Sequence, residues 1–161
     1  MVSGGKLGRM DVQEMGRRLR AAFTEVPDPR SRHGQRHPLA AVLAQATAAM
    51  LEGANSLAAI HQWGREQSPS VVRALGYTRE RTPSIGTLHA VFARLDAAAV
   101  DAALCRWACG LVGPDDRAIA IDGKAVRGTF GEDRPGLLLI AASTHAAGLV
   151  LAQAGGAARP A

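Results

Sequence analysis

Hydrophobic positions recur at helical spacing along the chain as far as Pro114. From Met10 to Val26 they fall at Val12, Met15, Leu19, Ala22, Phe23 and Val26, which predicts a helix with Arg17, Arg18 and Arg20 mostly on its outer side. Pro27-Asp28-Pro29-Arg30 stops it, because proline donates no backbone hydrogen bond and restricts the residue before it. A polar, basic loop runs from Arg30 to His37, and Pro38 suits the first position of a second helix. Leu39, Val42, Leu43, Ala46, Met50 and Leu51 line its buried side, and Gly53 ends it. A helix so nearly apolar all round belongs at the centre of the helical part. Ser56 caps a third helix through Leu57, Ile60 and Trp63. Ser68-Pro69 opens a short fourth, with Val71, Val72 and Leu75 inward and Gly76 as its stop. Ser84 begins a fifth, with Ile85, Leu88, Val91, Phe92 and Leu95 inward, and Asp96 caps a sixth carrying Val100, Leu104, Trp107 and Leu111.

After Pro114 the texture changes. Arg117 to Asp122 alternates and breaks at Gly123, as a buried strand would, and Leu137 to Thr144 and Leu149 to Gln153 read as two more strands turning around Ala147-Gly148. Helices followed by strands make an α+β chain. The expected organisation is a flexible stretch over 1–9, a helical domain over 10–113, a partial sheet domain over 114–153 and a disordered tail over 154–161. Three strands without covering helices leave one sheet face bare, so the chain reads as stopping partway through a fold. The closing residues AGGAARPA have the composition of GC-rich codons read out of frame, or of a native flexible terminus.

Composition bounds the function classes. In 161 residues, 47% are apolar and 20% charged, which is globular composition rather than disorder. No stretch approaches the roughly 20 apolar residues of a membrane span, and the N-terminus lacks the apolar run of a signal peptide. Two cysteines, Cys105 and Cys109, are too few for a disulfide scaffold. The expectation is a soluble, cytoplasmic protein. A net charge of +5 points to a polyanionic partner, or simply to the codon usage of a GC-rich genome. All but two of the basic residues are Arg, whose planar fork matches phosphate oxygens, and the eight Arg and Lys from Lys6 to His37 suit a phosphate-contacting surface or equally a solvated face.

The segment with the most chemistry is Ile119 to Gly128. Asp122 at the end of a buried strand, followed by Gly123, is placed to hold a metal ion, with Lys124 and Arg127 near enough to meet phosphates. The plainer reading is an Asp-Gly turn with two solvated cations. The glycines at 123 and 128 are not a Walker loop, because no Gly-Lys-Ser/Thr follows. His33, His37, Cys105 and Cys109 lack the spacing of a familiar zinc finger, and thiols packed beside Trp107 explain the cysteines better. Ser84 to Arg94 after Val71 to Leu75 can be read as a helix-turn-helix, although a core-packing helix suits the pattern better.

Several stretches, in order, resemble one family. Pro27-Asp28-Pro29-Arg30 with Arg36-His37-Pro38-Leu39, Gly53-Ala54-Asn55-Ser56 with Ile60 and Trp63, Pro83-Ser84 to Thr87 with Phe92 to Asp96, and Ala120-Ile121-Asp122-Gly123-Lys124 with Arg127-Gly128 are similar to segments of bacterial insertion-sequence DDE transposases of the H-repeat-associated type. The resemblance runs from about Val12 to Gln153, and its DGK..RG element is the most specific piece. It implies a helical N-terminal domain followed by the start of an RNase H-like catalytic domain, C-terminally truncated. It also implies DNA as partner, together with full-length transposase or self-association, and a site in which three carboxylates hold two Mg²⁺ ions. By resemblance Asp122 is the first of these, both catalytic and metal-binding. Glu132 and Asp133 follow in a loop where the family places no ligand, so this chain alone should not cut or join DNA. The residues expected at DNA are Arg30, Arg32, Arg36, His37, Lys124 and Arg127. The competing reading is a non-catalytic DNA-binding protein, or an inhibitor of the full-length enzyme.

Overall fold

A computed structural model of the protein describes residues 11–32, 35–112, 119–125, 137–144 and 150–157. Within them the order is α1 (Val12–Ala22), α2 (Leu39–Leu51), α3 (Leu57–Glu66), α4 (Pro69–Leu75), α5 (Ile85–Phe92), α6 (Ala97–Cys109), then β1 (Ile119–Ala125), β2 (Leu137–Thr144) and β3 (Val150–Ala157). The α+β expectation of helices followed by three strands is what the chain forms. It divides into two compact units, residues 10–107 and a second made of 1–9 with 108–161. The division falls inside the last turn of α6 rather than at Gly113-Pro114.

Local chemistry sets the helix ends of the first unit. The side chains of Asp11, Ser56, Ser68 and Ser84 each accept a backbone N–H from the first turn of α1, α3, α4 and α5, and Asp96 Oδ1 accepts from Ala98 and Ala99 before α6. Gly76 closes α4 at φ 101°, a left-handed conformation that suits glycine. α1 stops at Ala22, and a turn rather than a further helical coil brings Val26 into the core. Pro38 precedes the first helical residue of α2 instead of occupying it.

α2 is the central helix, as its all-round apolarity predicts: Leu39, Ala41 to Ala46, Ala48 and Ala49 are all buried. Around it pack Leu19 and Phe23 of α1 and its turn, Ile60 and Trp63 of α3, Leu75 of α4, Leu88 and Val91 of α5, and Ala103 of α6. Each fully buried leucine or phenylalanine contributes about 1.5–3 kcal/mol. Small residues bring backbones close, and a Cβ at Gly16 would already touch Leu75 Cδ2 at 3.4 Å. Three expected core positions are instead exposed, namely Met50, Leu51 and Ile85. Met50 and Leu51 sit in the last turn of α2, and Ile85 is the first residue of α5.

The second unit carries an antiparallel sheet in the order β1-β2-β3. Asp122 lies opposite Ala141, which lies opposite Gln153. Strand β1 is neither buried nor ended at Asp122. Its register with β2 continues through Gly123, Lys124 and Ala125, paired with Ile140, Leu139 and Leu138, and Ile121 is 75% exposed. Strand β3 likewise runs past Gln153 to Ala157, because Ala154 to Ala157 pair with Ile140 to Leu137. That stretch was expected to begin a disordered tail. The Ala147-Gly148 turn and residues 1–9 lie outside the described residues.

Candidate nucleic-acid interface

The first unit holds a cleft of about 580 Å³ lined by Arg36, His37, Arg79, Arg81, Thr82, Ser84 and Thr87. No acidic side chain is among these. A smaller concavity of about 350 Å³ shares Arg81, Thr82 and Ser84 with it and adds His61, Arg65 and Glu80.

The cleft is assembled from three places in the sequence. One wall is the corner before α2. Arg30 bonds Asp28 through Nη2–Oδ2 at 2.7 Å and Nε–Oδ1 at 2.9 Å, and its Nη2 also donates to the His37 carbonyl at 2.8 Å. With a side chain only 7% exposed, Arg30 is therefore a strut that fixes Arg36 and His37. The opposite wall is the loop after Gly76, in which Glu80 takes a positive φ of 50° and turns to pair with Arg73, leaving Arg79 and Arg81 at the cleft. The floor is the start of α5, whose Ser84 cap follows a fully buried Pro83. His61 Nδ1 lies 3.0 Å from the Pro83 carbonyl and ties that corner to α3. Beneath His37, Tyr77 meets the imidazole edge-on, with ring centroids 5.6 Å apart.

The arginines of the unit differ in their pairing. Arg17 and Arg18 are paired with Glu14, Arg73 with Glu80, and Arg106 with Glu25. Among the described residues no carboxylate pairs with Arg36, Arg79 or Arg81. Burial pushes the His37 pKa down, and the nearby Arg36, Arg30 and Arg79 push it further in the same direction. His37 is therefore neutral at physiological pH and contributes hydrogen bonding rather than charge.

Of the residues expected at DNA, Arg36 and His37 meet in this cleft and Arg32 is exposed nearby in sequence. Arg30 is turned inward, and Arg127 lies outside the described residues. Lys124 belongs to the second unit, where its ammonium stands 3.7 Å from Asp122. Arg79 and Arg81 were not anticipated. The available signal was the Arg79-Glu80-Arg81 alternation just before the Pro83-Ser84 cap. The helix-turn-helix reading does not fit, because nine residues separate α4 from α5 where that motif needs a 3–4-residue turn.

Asp122 lies mid-strand in β1. Its side chain is 64% exposed, its ion pair is with Lys124, and the residue opposite is Ala141. Among the described residues no group of three His, Cys, Asp or Glu side chains could hold a metal ion, and Cys105 and Cys109 are free thiols. Glu132 and Asp133 lie outside the described residues. The residues described therefore do not fit a pair of Mg²⁺ ions.

Comparison with known proteins places the chain. The model of the DDE_Tnp_1-associated family matches residues 20–108. The chain belongs to that family. The match covers nearly the whole helical unit, so the DDE_Tnp_1-associated segment and the unit bearing the basic cleft are the same part of the molecule. A protein of Escherichia coli (strain K12) named "Putative transposase YncI" is 28% identical over 131 residues, which cover 79% of this chain and 52% of that protein. This chain thus spans about half the length of that relative. No solved structure matches. Among the described residues no helix is long and apolar enough to cross a membrane.

Proposed function

We propose that this DDE_Tnp_1-associated protein serves DNA transposition of an insertion sequence, and that its own chain contributes DNA binding rather than strand cleavage. The observation that carries this reading is the family match over residues 20–108, the helical unit whose surface holds the unpaired arginines. A relative named as a transposase supports the same assignment. The RNase H-like character of residues 114–153, and Asp122 as one carboxylate of a Mg²⁺-dependent site, follow from the resemblance of the Asp122-Gly123-Lys124 element. Strand transfer by two metals needs several carboxylates converging on one place, and among the described residues of the second unit Asp122 is the one carboxylate, paired with Lys124. Cleavage therefore requires carboxylates beyond those described here.

Two measurements on the full chain test this. Duplex DNA should bind with a steep inverse dependence on salt, because each phosphate contact releases counterions. Supercoiled DNA should remain uncut with Mg²⁺ or Mn²⁺. Absence of binding at low salt would remove the DNA-binding reading. Nicking that disappears in Asp122→Ala would show a working site and overturn the non-catalytic one.

A further inference from the structure

Resting on that reading, we propose that the cleft between the Arg36 corner and the Arg79–Ser84 loop is the seat of the DNA phosphodiester backbone. Three observations converge on it. The first is charge without compensation: Arg36, Arg79 and Arg81 reach one concavity, and no carboxylate pairs with any of them among the described residues. Glu14 and Glu25 pair with arginines elsewhere on the unit, and Glu80, within the cleft's own loop, pairs with Arg73. The second is the donor set. Arginine forks match phosphate oxygens in pairs, and the hydroxyl of Thr82 and one of the mutually bonded pair Ser84–Thr87 add neutral donors in the same cleft. The third is rigidity. Arg30 holds the His37 carbonyl from behind and His61 meets the Pro83 carbonyl, so both walls are fixed before a ligand arrives.

These contacts read backbone and not bases, so the cleft positions DNA without choosing its sequence. The smaller concavity shares Arg81, Thr82 and Ser84 and adds Arg65, but also the carboxylate of Glu80, so the phosphate seat is confined to the larger cleft.

The test uses the full chain and a fluorescent duplex of unrelated sequence, titrated across a series of KCl concentrations. Arg36→Ala/Arg79→Ala/Arg81→Ala should lower the log–log salt slope by about 2–3 and weaken binding roughly 30-fold or more at ~0.1 M salt. Arg17→Ala/Arg18→Ala removes charge from α1 and should change affinity no more than about twofold, because Glu14 already engages both side chains. Far-UV circular dichroism and the urea midpoint should be unchanged in both variants. Should the triple variant lose its fold, Thr87→Glu gives an independent reading by placing a carboxylate at the cleft, and it should weaken binding tenfold or more. If the wild type binds but these cleft variants bind as well as it does, or if the α1 variant loses as much as the triple, the cleft is not the seat. Equal competition by polyglutamate of matched charge would likewise overturn the phosphate assignment. If the wild type itself fails to bind, the DNA-binding reading fails rather than the placement of the site.

Discussion

The Tyr77 hydroxyl donates to Gln45 Oε1 at 2.7 Å, while the amide of the same Gln45 donates to the Ile60 carbonyl at 3.0 Å. One fully buried glutamine in a largely apolar helix thereby joins α2, α3 and the loop that leads to the cleft. Burial pushes the Tyr77 phenol pKa far up, so it remains a donor throughout the working pH range. Tyr77→Phe leaves the glutamine oxygen buried and unpartnered, and should cost about 1–3 kcal/mol in urea unfolding. The same variant keeps the ring that His37 meets edge-on, so that contact should survive.

Gly64 shows how tightly this junction is packed. A Cβ there would fall within the Gln45 amide, which is held at both ends and has no free rotamer to retreat to. Gly64→Ala should therefore destabilise by about 1–3 kcal/mol, although alanine favours helices elsewhere. A thermal midpoint equal to wild type would show that the glutamine can move.

The Asp28–Arg30 strut should govern acid stability. Hydrogen bonds from Arg30 hold the Asp28 carboxyl below its ordinary value of 3.8, against a smaller opposing effect of burial. A depressed carboxylate stabilises the fold fully above that ordinary value, and the contribution is lost as pH falls through the lower folded one. Asp28→Asn should flatten this acid limb and cost about 1–2 kcal/mol at neutral pH, measured by urea unfolding across pH.

His37 acts at higher pH with the same sign. Its folded pKa lies below the ordinary 6.5, so between the two values the unfolded chain takes up a proton that the folded chain refuses. Stability should therefore be full above pH ~6.5 and decline as pH drops through that window. The groups facing His37 are Tyr77 and the guanidiniums of Arg36, Arg30 and Arg79. His37→Asn should abolish the slope, and the imidazole resonances should titrate below the ordinary midpoint.

Helix ends were legible in the sequence because their causes are local. Ser56, Ser68, Ser84 and Asp96 each cap with their own side chain, and Gly76 stops α4 by its own backbone freedom. What escaped was set by partners distant in sequence. Arg30 and Arg36 look alike on the page, yet Asp28 and the His37 carbonyl draw one inward while the other faces the cleft. Arg79 and Arg81 meet Arg36 only once α2, α4 and α5 have packed. Asp122-Gly123 carries the signature of a turn, but pairing with Ile140 and Leu139 carries the strand straight through it. That Arg79 and Arg81 join Arg36 at one cleft could not be read from local pattern, since a solvated basic face has the same spelling.

The sheet of the second unit adds a chemical contrast. Ile119 and Ile121 of β1 and Ile140 of β2 share one face by register and are solvent-exposed. Raising ionic strength weakens phosphate contacts, whereas sulfate and similarly excluded anions make bare hydrocarbon cling more strongly. The molecule thus carries two surfaces with opposite answers to the same salt, so the anion chosen decides whether high ionic strength only screens the arginines of the cleft or also draws separate molecules into clumps.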